Sequence, residues 1–145
     1  VSPALPSGML LDTVTGALKG TPSGSQHFAS NYTVTASNPA GSVSYTINIT
    51  IVGPPSNLSY ADDVPTYAVG LLIDPPNTPT IQGIVTFYTA TPALPPGVIL
   101  DQTTGYILGT PTAASPASDY TITGFNPGGF ASTTINLGVI DLIEQ

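Results

Sequence analysis

Two stretches of the chain carry nearly the same sequence. Residues 4–22 read ALPSGMLLDTVTGALKGTP and residues 93–111 read ALPPGVILDQTTGYILGTP, so the repeat is offset by 89 residues (93 − 4). A period of this length exceeds the roughly 20–50 residues of a solenoid unit. It is close to the size of one small β-sandwich domain, about 100 residues. The repeat therefore predicts an array of similar modules.

The sequence around these stretches predicts strands. Tyr32–Ala36 and Tyr120–Gly124 alternate apolar and polar residues, and Ile47–Ile51 and Ile135–Val139 form a second matched pair. Such alternation is typical of half-buried strands with one face on a core and the other in solvent. No window shows the i, i+3, i+4, i+7 spacing of an amphipathic helix. We therefore predict an all-β fold.

The predicted strands divide unequally between two modules. Residues 53–145 offer seven candidates, at 57–61, 66–73, 84–91, 98–101, 106–110, 119–125 and 130–140. Residues 1–52 offer only the last four, at 9–12, 17–21, 31–36 and 42–52. Seven short strands separated by turns are typical of an immunoglobulin-like sandwich. We predict tandem sandwiches of this type, the first lacking its N-terminal strands, joined by the stiff linker Gly53-Pro54-Pro55-Ser56.

The incomplete first module has three explanations. We expect its missing strands to lie upstream in a longer protein. The alternatives are that a neighbouring chain supplies them, since unpaired strand edges recruit strands, or that the module packs without them.

Turn residues are duplicated as well. Asp and Asn side chains accept hydrogen bonds from the backbone of their own turn, and Gly tolerates positive φ. An enzyme would rarely carry its site twice in equivalent turns, so we interpret these positions as structural and not catalytic. They are Asp12, Gly16, Asn38 and Gly41 in the first module and Asp101, Gly105, Asn126 and Gly129 in the second.

Composition limits the possible functions. Charged residues make up 6% of the chain, and Lys19 is the one basic residue against eight acidic ones. Phosphate binding needs clustered Lys and Arg, so we expect no nucleic-acid partner. No run approaches the roughly 18 apolar residues of a membrane-spanning helix, so we expect no direct membrane insertion. With no Cys and one His, neither a zinc site nor a Cys–His pair can form. We predict no enzymatic activity and no cofactor, and we interpret His27 as an exposed loop residue.

The repeated string resembles a known family. The pattern LPxGxxLDxxTGxxxGTP, followed by Tyr-Thr-x-Thr-x-x-Asn-x-x-Gly, is similar to the Putative Ig domain repeats, which are related to cadherin-like and dystroglycan-type sandwiches. The resemblance implies an extracellular or cell-surface protein whose modules form a stalk, filament or surface array with a possible adhesive role. Its partners would be other repeats of the same protein or of neighbouring subunits, with a cell-surface glycan or protein as a further partner. The alternatives are a carbohydrate- or receptor-binding module and the accessory domain of a secreted hydrolase.

Individual residues are candidates for calcium binding and for N-glycosylation. Asp62 and Asp63 are the calcium candidates, although calcium prefers six to eight oxygen ligands and cadherin joints are richer in acids. The sequons at Asn31, Asn48 and Asn57 are candidate N-glycosylation sites.

The aromatic residues suggest a second kind of site. Tyr32 and Tyr120 hold equivalent strand positions, and we expect both to pack inward. One ring of the Phe87-Tyr88 pair should point outward, and an exposed aromatic beside Tyr106 would form a carbohydrate-stacking patch. We expect replacement of Tyr88 or Tyr106 to test that patch.

Overall fold

The chain folds into two compact units, Val1–Gly53 and Pro54–Gln145, called unit 1 and unit 2 below. The computed structural model describes residues 1–24 and 27–142, and for His27 and Phe28 it describes the backbone only. Every regular element among the described residues is a β-strand, and these strands pack as sandwiches. The all-β, immunoglobulin-like fold class predicted from the sequence is therefore confirmed.

Unit 1 consists of two antiparallel strand pairs within its described residues. In the first pair Met9 lies opposite Gly20, and in the second Tyr32 lies opposite Ile47. The strands are β1 Met9–Leu11, β2 Leu18–Gly20, β3 His27–Asn38 and β4 Gly41–Ile51.

The predicted loop position of His27 is wrong. His27 is the first residue of β3 and lies opposite Ile51, because the pairing continues beyond an irregularity between His27 and Ser30. The predicted exposure of its side chain concerns atoms outside the described part of the chain.

The described residues of unit 2 form eight strands. They are β5 Ser56–Tyr60, β6 Thr66–Ala68, β7 Pro79–Gln82, β8 Phe87–Thr91, β9 Val98–Leu100, β10 Ile107–Gly109, β11 Ser115–Asn126 and β12 Gly129–Ile140. Four of them form a sheet with the order β6-β12-β11-β8, and the others form two smaller pairs, β5-β7 and β9-β10. All these pairings are antiparallel except that of β6 with β12, in which Thr66 lies opposite Gly138.

The core of unit 2 is built from the inward residues of these strands. Alternation along β11 and β12 places every second side chain on this side, as the sequence pattern requires. Ile107, Ile122 and Leu137 are completely buried. The remaining core residues are Leu58, Tyr60, Ile73, Tyr88, Val98, Tyr120, Ile135 and Val139.

Three strand predictions in unit 2 need correction. β7 was not predicted, because Pro79-Thr80-Ile81-Gln82 has one aliphatic residue in a proline-rich segment. β6 ends at Ala68 and not at residue 73, because Gly70 adopts φ 80° and the Leu71 N–H closes a turn on the Ala68 carbonyl. β8 begins at Phe87 and not at residue 84. Residues 54–142 therefore hold eight strands and not seven, and four of them precede the part that unit 1 repeats.

Among the described residues, no helix is long and apolar enough to cross a membrane.

Candidate functional site

The two predicted aspartate turns have the same geometry in both units. Asp12 Oδ1 accepts hydrogen bonds from the N–H groups of Val14 and Thr15 at 3.0 and 3.1 Å, and the Gly16 N–H donates to the Asp12 carbonyl. The Asp12 carboxylate thus accepts hydrogen bonds from the backbone of its own turn, as a turn-capping role requires.

The copy in unit 2 repeats these contacts. Asp101 Oδ1 accepts from the N–H groups of Thr103 and Thr104 at 2.8 and 3.0 Å, and the Gly105 N–H donates to the Asp101 carbonyl. The N–H of Asp101 closes the hairpin on the Tyr106 carbonyl.

Hydrogen bonding to the carboxylates lowers their pKa values. The Thr15 and Val14 N–H groups and then the Lys19 ammonium, 3.1 Å from Asp12 Oδ2, hold the pKa of Asp12 below 3.8. The N–H groups of Thr104 and Thr103 lower the pKa of Asp101 without any cation. Carboxylates that favour the ionised form in this way do not serve as general acids near neutral pH.

The glycine of each aspartate turn meets different surroundings. Gly16 and Gly105 have φ angles of 77° and 74°. A Cβ at Gly16 would meet nothing within 4 Å, whereas one at Gly105 would lie 2.8 Å from the Tyr88 ring and 2.9 Å from Pro79. The Tyr60 hydroxyl also donates to the Gly105 carbonyl at 2.6 Å. Gly105 is therefore packed against core side chains, while the equivalent glycine in unit 1 borders open space.

The asparagine turns lie at the tips of the long hairpins. Asn38 Oδ1 accepts from the N–H groups of Ala40 and Gly41 at 2.9 and 3.1 Å, where Gly41 has φ 157°.

In unit 2 the equivalent turn has an added contact. Asn126 Oδ1 accepts from the Gly128 N–H at 2.8 Å, and Gly129 has φ 145°. Asn126 Nδ2 donates to the Ile84 carbonyl at 2.8 Å, which fixes the loop before β8.

The calcium candidates Asp62 and Asp63 lie between β5 and β6. Asp62 Oδ1 accepts from the Val64 N–H at 3.0 Å, and the Asp63 carbonyl accepts from the Asn136 N–H at 2.8 Å. Buried Asn77 bonds to both the N–H and the carbonyl of Asp62. Within the described ranges, no three His, Cys, Asp or Glu side chains come together as metal ligands would.

The three sequon asparagines lie on exposed strand positions. Asn31 and Asn48 lie opposite each other, and Asn48 Nδ2 donates to Asn31 Oδ1 at 2.8 Å. Asn57 has φ 55° and its Nδ2 donates to Gln82 Oε1 at 2.8 Å. A glycan on Asn48 or Asn57 would replace one of the two Nδ2 hydrogens and leave the other for the hydrogen bond described.

Tyr32 and Tyr120 pack inward as predicted, and Phe87 is the outward ring of the Phe87-Tyr88 pair. Tyr32 and Tyr120 are buried, at 2% and 5% exposure. Tyr88 is also buried, and its ring packs against the turn at Gly105, so it cannot form a stacking surface. Tyr106 is 40% exposed, and the ring of Phe87 stacks on that of Phe125.

Three phenylalanines form a row across the outer face of the four-stranded sheet. Phe125 lies opposite Phe87 on β8 and opposite Phe130 on β12. The rings of Phe87 and Phe125 stack at 4.9 Å with an angle of 11°, and Phe130 lies 5.8 Å from Phe125 at 44°. Sequence reasoning missed this phenylalanine row, although Phe125 and Phe130 flank the predicted Asn126 turn symmetrically.

The inner face of unit 1, defined here by Val34, Ile47, Ile49 and Ile51, is only half-buried, although Tyr32 opposite Ile47 is buried. The equivalent residues of unit 2, found at an offset of 88 (120 − 32), are Ile122, Ile135, Leu137 and Val139, and their exposure is 0 to 3%. Likewise Leu18 is 40% exposed, whereas Ile107 in the same place of unit 2 is completely buried. In unit 2 the covering side chains come from residues 54–91, among them Leu58, Tyr60 and Tyr88.

The family comparison agrees with this fold. The model of the family described as Putative Ig domain matches residues 1–52 and again residues 53–139. A solved structure of a chimeric titin Z1Z2, functionalized with a KLER exogenous peptide from decorin, is similar with a TM-score of 0.37 and 16% identity, over 95% of this chain and 74% of that one. No curated protein matches the sequence. The resemblance seen in the sequence is confirmed, and the chain belongs to the Putative Ig domain family.

Proposed function

We propose that this chain is a non-enzymatic structural segment of an extracellular or cell-surface protein. Its Ig-like modules, joined in series, would carry load as part of a stalk, filament or surface array. The observation that supports this most directly is the parallel pairing of β6 with β12, because these strands lie toward opposite chain ends of unit 2. Membership of a family of Ig-like modules supports the same structural role.

The β6–β12 pairing resists end-to-end tension in shear. Asn136 N–H donates to the Asp63 carbonyl, Gly138 N–H to the Pro65 carbonyl and Val69 N–H to the Ile140 carbonyl, at 2.8, 3.1 and 2.9 Å. Tension applied at the ends of unit 2 pulls the two parallel strands along their axes in opposite directions. These bonds must then break together and not one after another.

Val69→Pro tests this role, because proline removes the donor to the Ile140 carbonyl. We expect the force that unfolds unit 2, measured by single-molecule stretching of the full chain, to fall. Val69→Ala is the matched control, since it shortens the side chain and keeps the N–H. Equal unfolding forces in the two variants would show that the hydrogen bonds between β6 and β12 do not resist the tension.

We also propose that other Ig-like repeats are the partners of unit 1. Its inner face has the alternation of the equivalent face in unit 2, which residues 54–91 cover. A segment of that pattern, from another repeat, would bury the half-exposed residues Ile47, Ile49 and Ile51 and pair with the outer edge of β4. The outer edge of β3 already pairs with Ser2, which exchanges two backbone hydrogen bonds with Thr33. Completing the burial of a half-buried aliphatic side chain contributes about 1 kcal/mol, roughly half the value for full burial.

A peptide of residues 54–91 added to the full chain tests this partner. We expect slower amide exchange in β3 and β4, and no such effect from a peptide in which Leu58 and Tyr60 are replaced by Ser. Unchanged exchange in β3 and β4 with the unmodified peptide would contradict the proposal.

A further inference from the structure

The phenylalanine row places two exposed aromatic rings on the four-stranded sheet, whose long hairpin has a counterpart in unit 1 that forms without them. Phe87 and Phe130 are 45% and 64% exposed, and they lie on the sheet face opposite the core. Unit 1 has Ser37 and Ser42 at the positions of Phe125 and Phe130, and it forms the same hairpin with them. Scattered exposed apolar residues are ordinary, but a contiguous patch marks a binding surface.

Ring geometry shows which surfaces a ligand can reach. Phe125 is flanked by both neighbours, and its near-parallel stack with Phe87 covers one of its faces. β8 ends the sheet order, so the far side of Phe87 has no strand beside it in the sheet. Phe130 is inclined by 44° and is the most exposed of the three. Phe87 and Phe130 are therefore two stacking surfaces, held two strands apart (roughly 9–10 Å) by the rigid sheet.

Hydroxyl groups border the row. Two residues further along each strand, Thr89, Thr123 and Ser132 form the next row on the same face. Thr123 Oγ1 and Ser132 Oγ are 2.8 Å apart and share a hydrogen bond. These groups can both donate and accept hydrogen bonds and carry no charge.

The charge of the chain restricts the ligand further. Its one basic residue, Lys19, lies in unit 1 and pairs with Asp12, and the net charge is −7. An anionic ligand would find no cation on this face and would be repelled by the net charge.

We propose that the phenylalanine row binds a neutral polysaccharide. The apolar C–H faces of two sugar rings would stack on Phe87 and Phe130, and sugar hydroxyls would exchange hydrogen bonds with the row of Thr89, Thr123 and Ser132. This binding role goes beyond the proposed structural role and does not depend on it.

The test uses the full chain and two neutral polysaccharides, cellulose and chitin, in co-sedimentation, with cellohexaose and chitohexaose in NMR titration. We expect binding to at least one of them, with shift changes on the outer face of β8, β11 and β12. Double replacement Phe87→Ala and Phe130→Ser should weaken binding about tenfold or more, from the loss of two aromatic contacts. Tyr45→Ser is the matched control, because Tyr45 is an exposed aromatic of unit 1 at 74% exposure.

Folding of each variant is checked by its thermal unfolding midpoint. Phe130→Ser alone is the fallback variant, because unit 1 shows that the hairpin accepts Ser42 at this position. No binding to any of the four saccharides, equal binding by the double variant, or an equal loss in Tyr45→Ser would overturn the proposal. Self-association through the row without saccharide binding would overturn it as well.

Discussion

The Tyr60 hydroxyl donates a buried hydrogen bond of 2.6 Å to the carbonyl of Gly105, 45 residues away. This bond ties the first strand of unit 2 to the aspartate turn that both units share. Unit 1 has the same turn at Gly16, but its described residues include no counterpart of β5 to bind it. The turn glycine is thus buried in unit 2 and exposed in unit 1, so the effect of its burial can be compared within one chain.

Replacement of the two turn glycines by alanine should have unequal effects. Gly16→Ala should lower the free energy of unfolding of unit 1 by about 1 kcal/mol, because alanine is strained at a positive φ. Gly105→Ala adds that cost and a clash with Tyr88 and Pro79, so we expect unit 2 to lose about 3 kcal/mol in total. Urea unfolding followed by NMR signals of each unit measures both values. Equal losses would show that Gly105 is not packed as described.

Tyr60→Phe should destabilise unit 2 by about 1–2 kcal/mol, because the buried Gly105 carbonyl loses its donor. Tyr106→Phe, at a 40% exposed ring, should change the free energy of unfolding by less than about 0.5 kcal/mol. Chemical denaturation of the two variants beside the parent chain gives the comparison. A Tyr60→Phe variant as stable as the parent would contradict the importance of the bond.

Alkaline pH should unfold unit 2 through its buried tyrosines. Burial raises the pKa of Tyr60, Tyr67 and Tyr88 above the usual 10.0. Their contribution to stability is therefore complete below pH 10 and is lost as the pH rises through the folded-state values. We expect the urea midpoint of unit 2 to fall above pH 10, and to fall less steeply in Tyr60→Phe. A midpoint that stays constant above pH 10 would be inconsistent with this burial.

The two turn aspartates should titrate differently when Lys19 is removed. Both pKa values lie below 3.8, so the stability they add is present above about pH 4 and is lost as the pH falls through the folded-state values. Lys19→Leu copies Leu108, the equivalent residue of unit 2, and should raise the pKa of Asp12 while that of Asp101 stays unchanged. NMR titration of the carboxyl carbons measures both. An unchanged Asp12 value would show that Lys19 does not stabilise the carboxylate.

Much of this structure could be predicted from the repeat itself. The long hairpins follow from alternation at Tyr32 and Tyr120, since a period of two fixes which side chains face the core. β7 could not be predicted, because its pairing with β5 depends on tertiary contacts that Pro79-Thr80-Ile81-Gln82 does not reveal locally. The pairing of Phe125 with Phe130 could have been predicted from the sequence, because the tight turn after Phe125 brings Phe130 directly opposite it. Phe87 depended on the register of β8, which no local pattern gives.

Stretching the full chain by its two ends tests the central claim, that unit 2 is built to carry tension, most directly. The β3–β4 hairpin of unit 1 opens one bond at a time, whereas the parallel β6–β12 ladder is loaded in shear. We predict a low-force extension of unit 1, followed by one high-force event. It should release the extended length of residues 54–142, about 30 nm, less the distance that the folded unit already spans. Extension of unit 2 at the same low force as unit 1, without a separate event, would contradict the account.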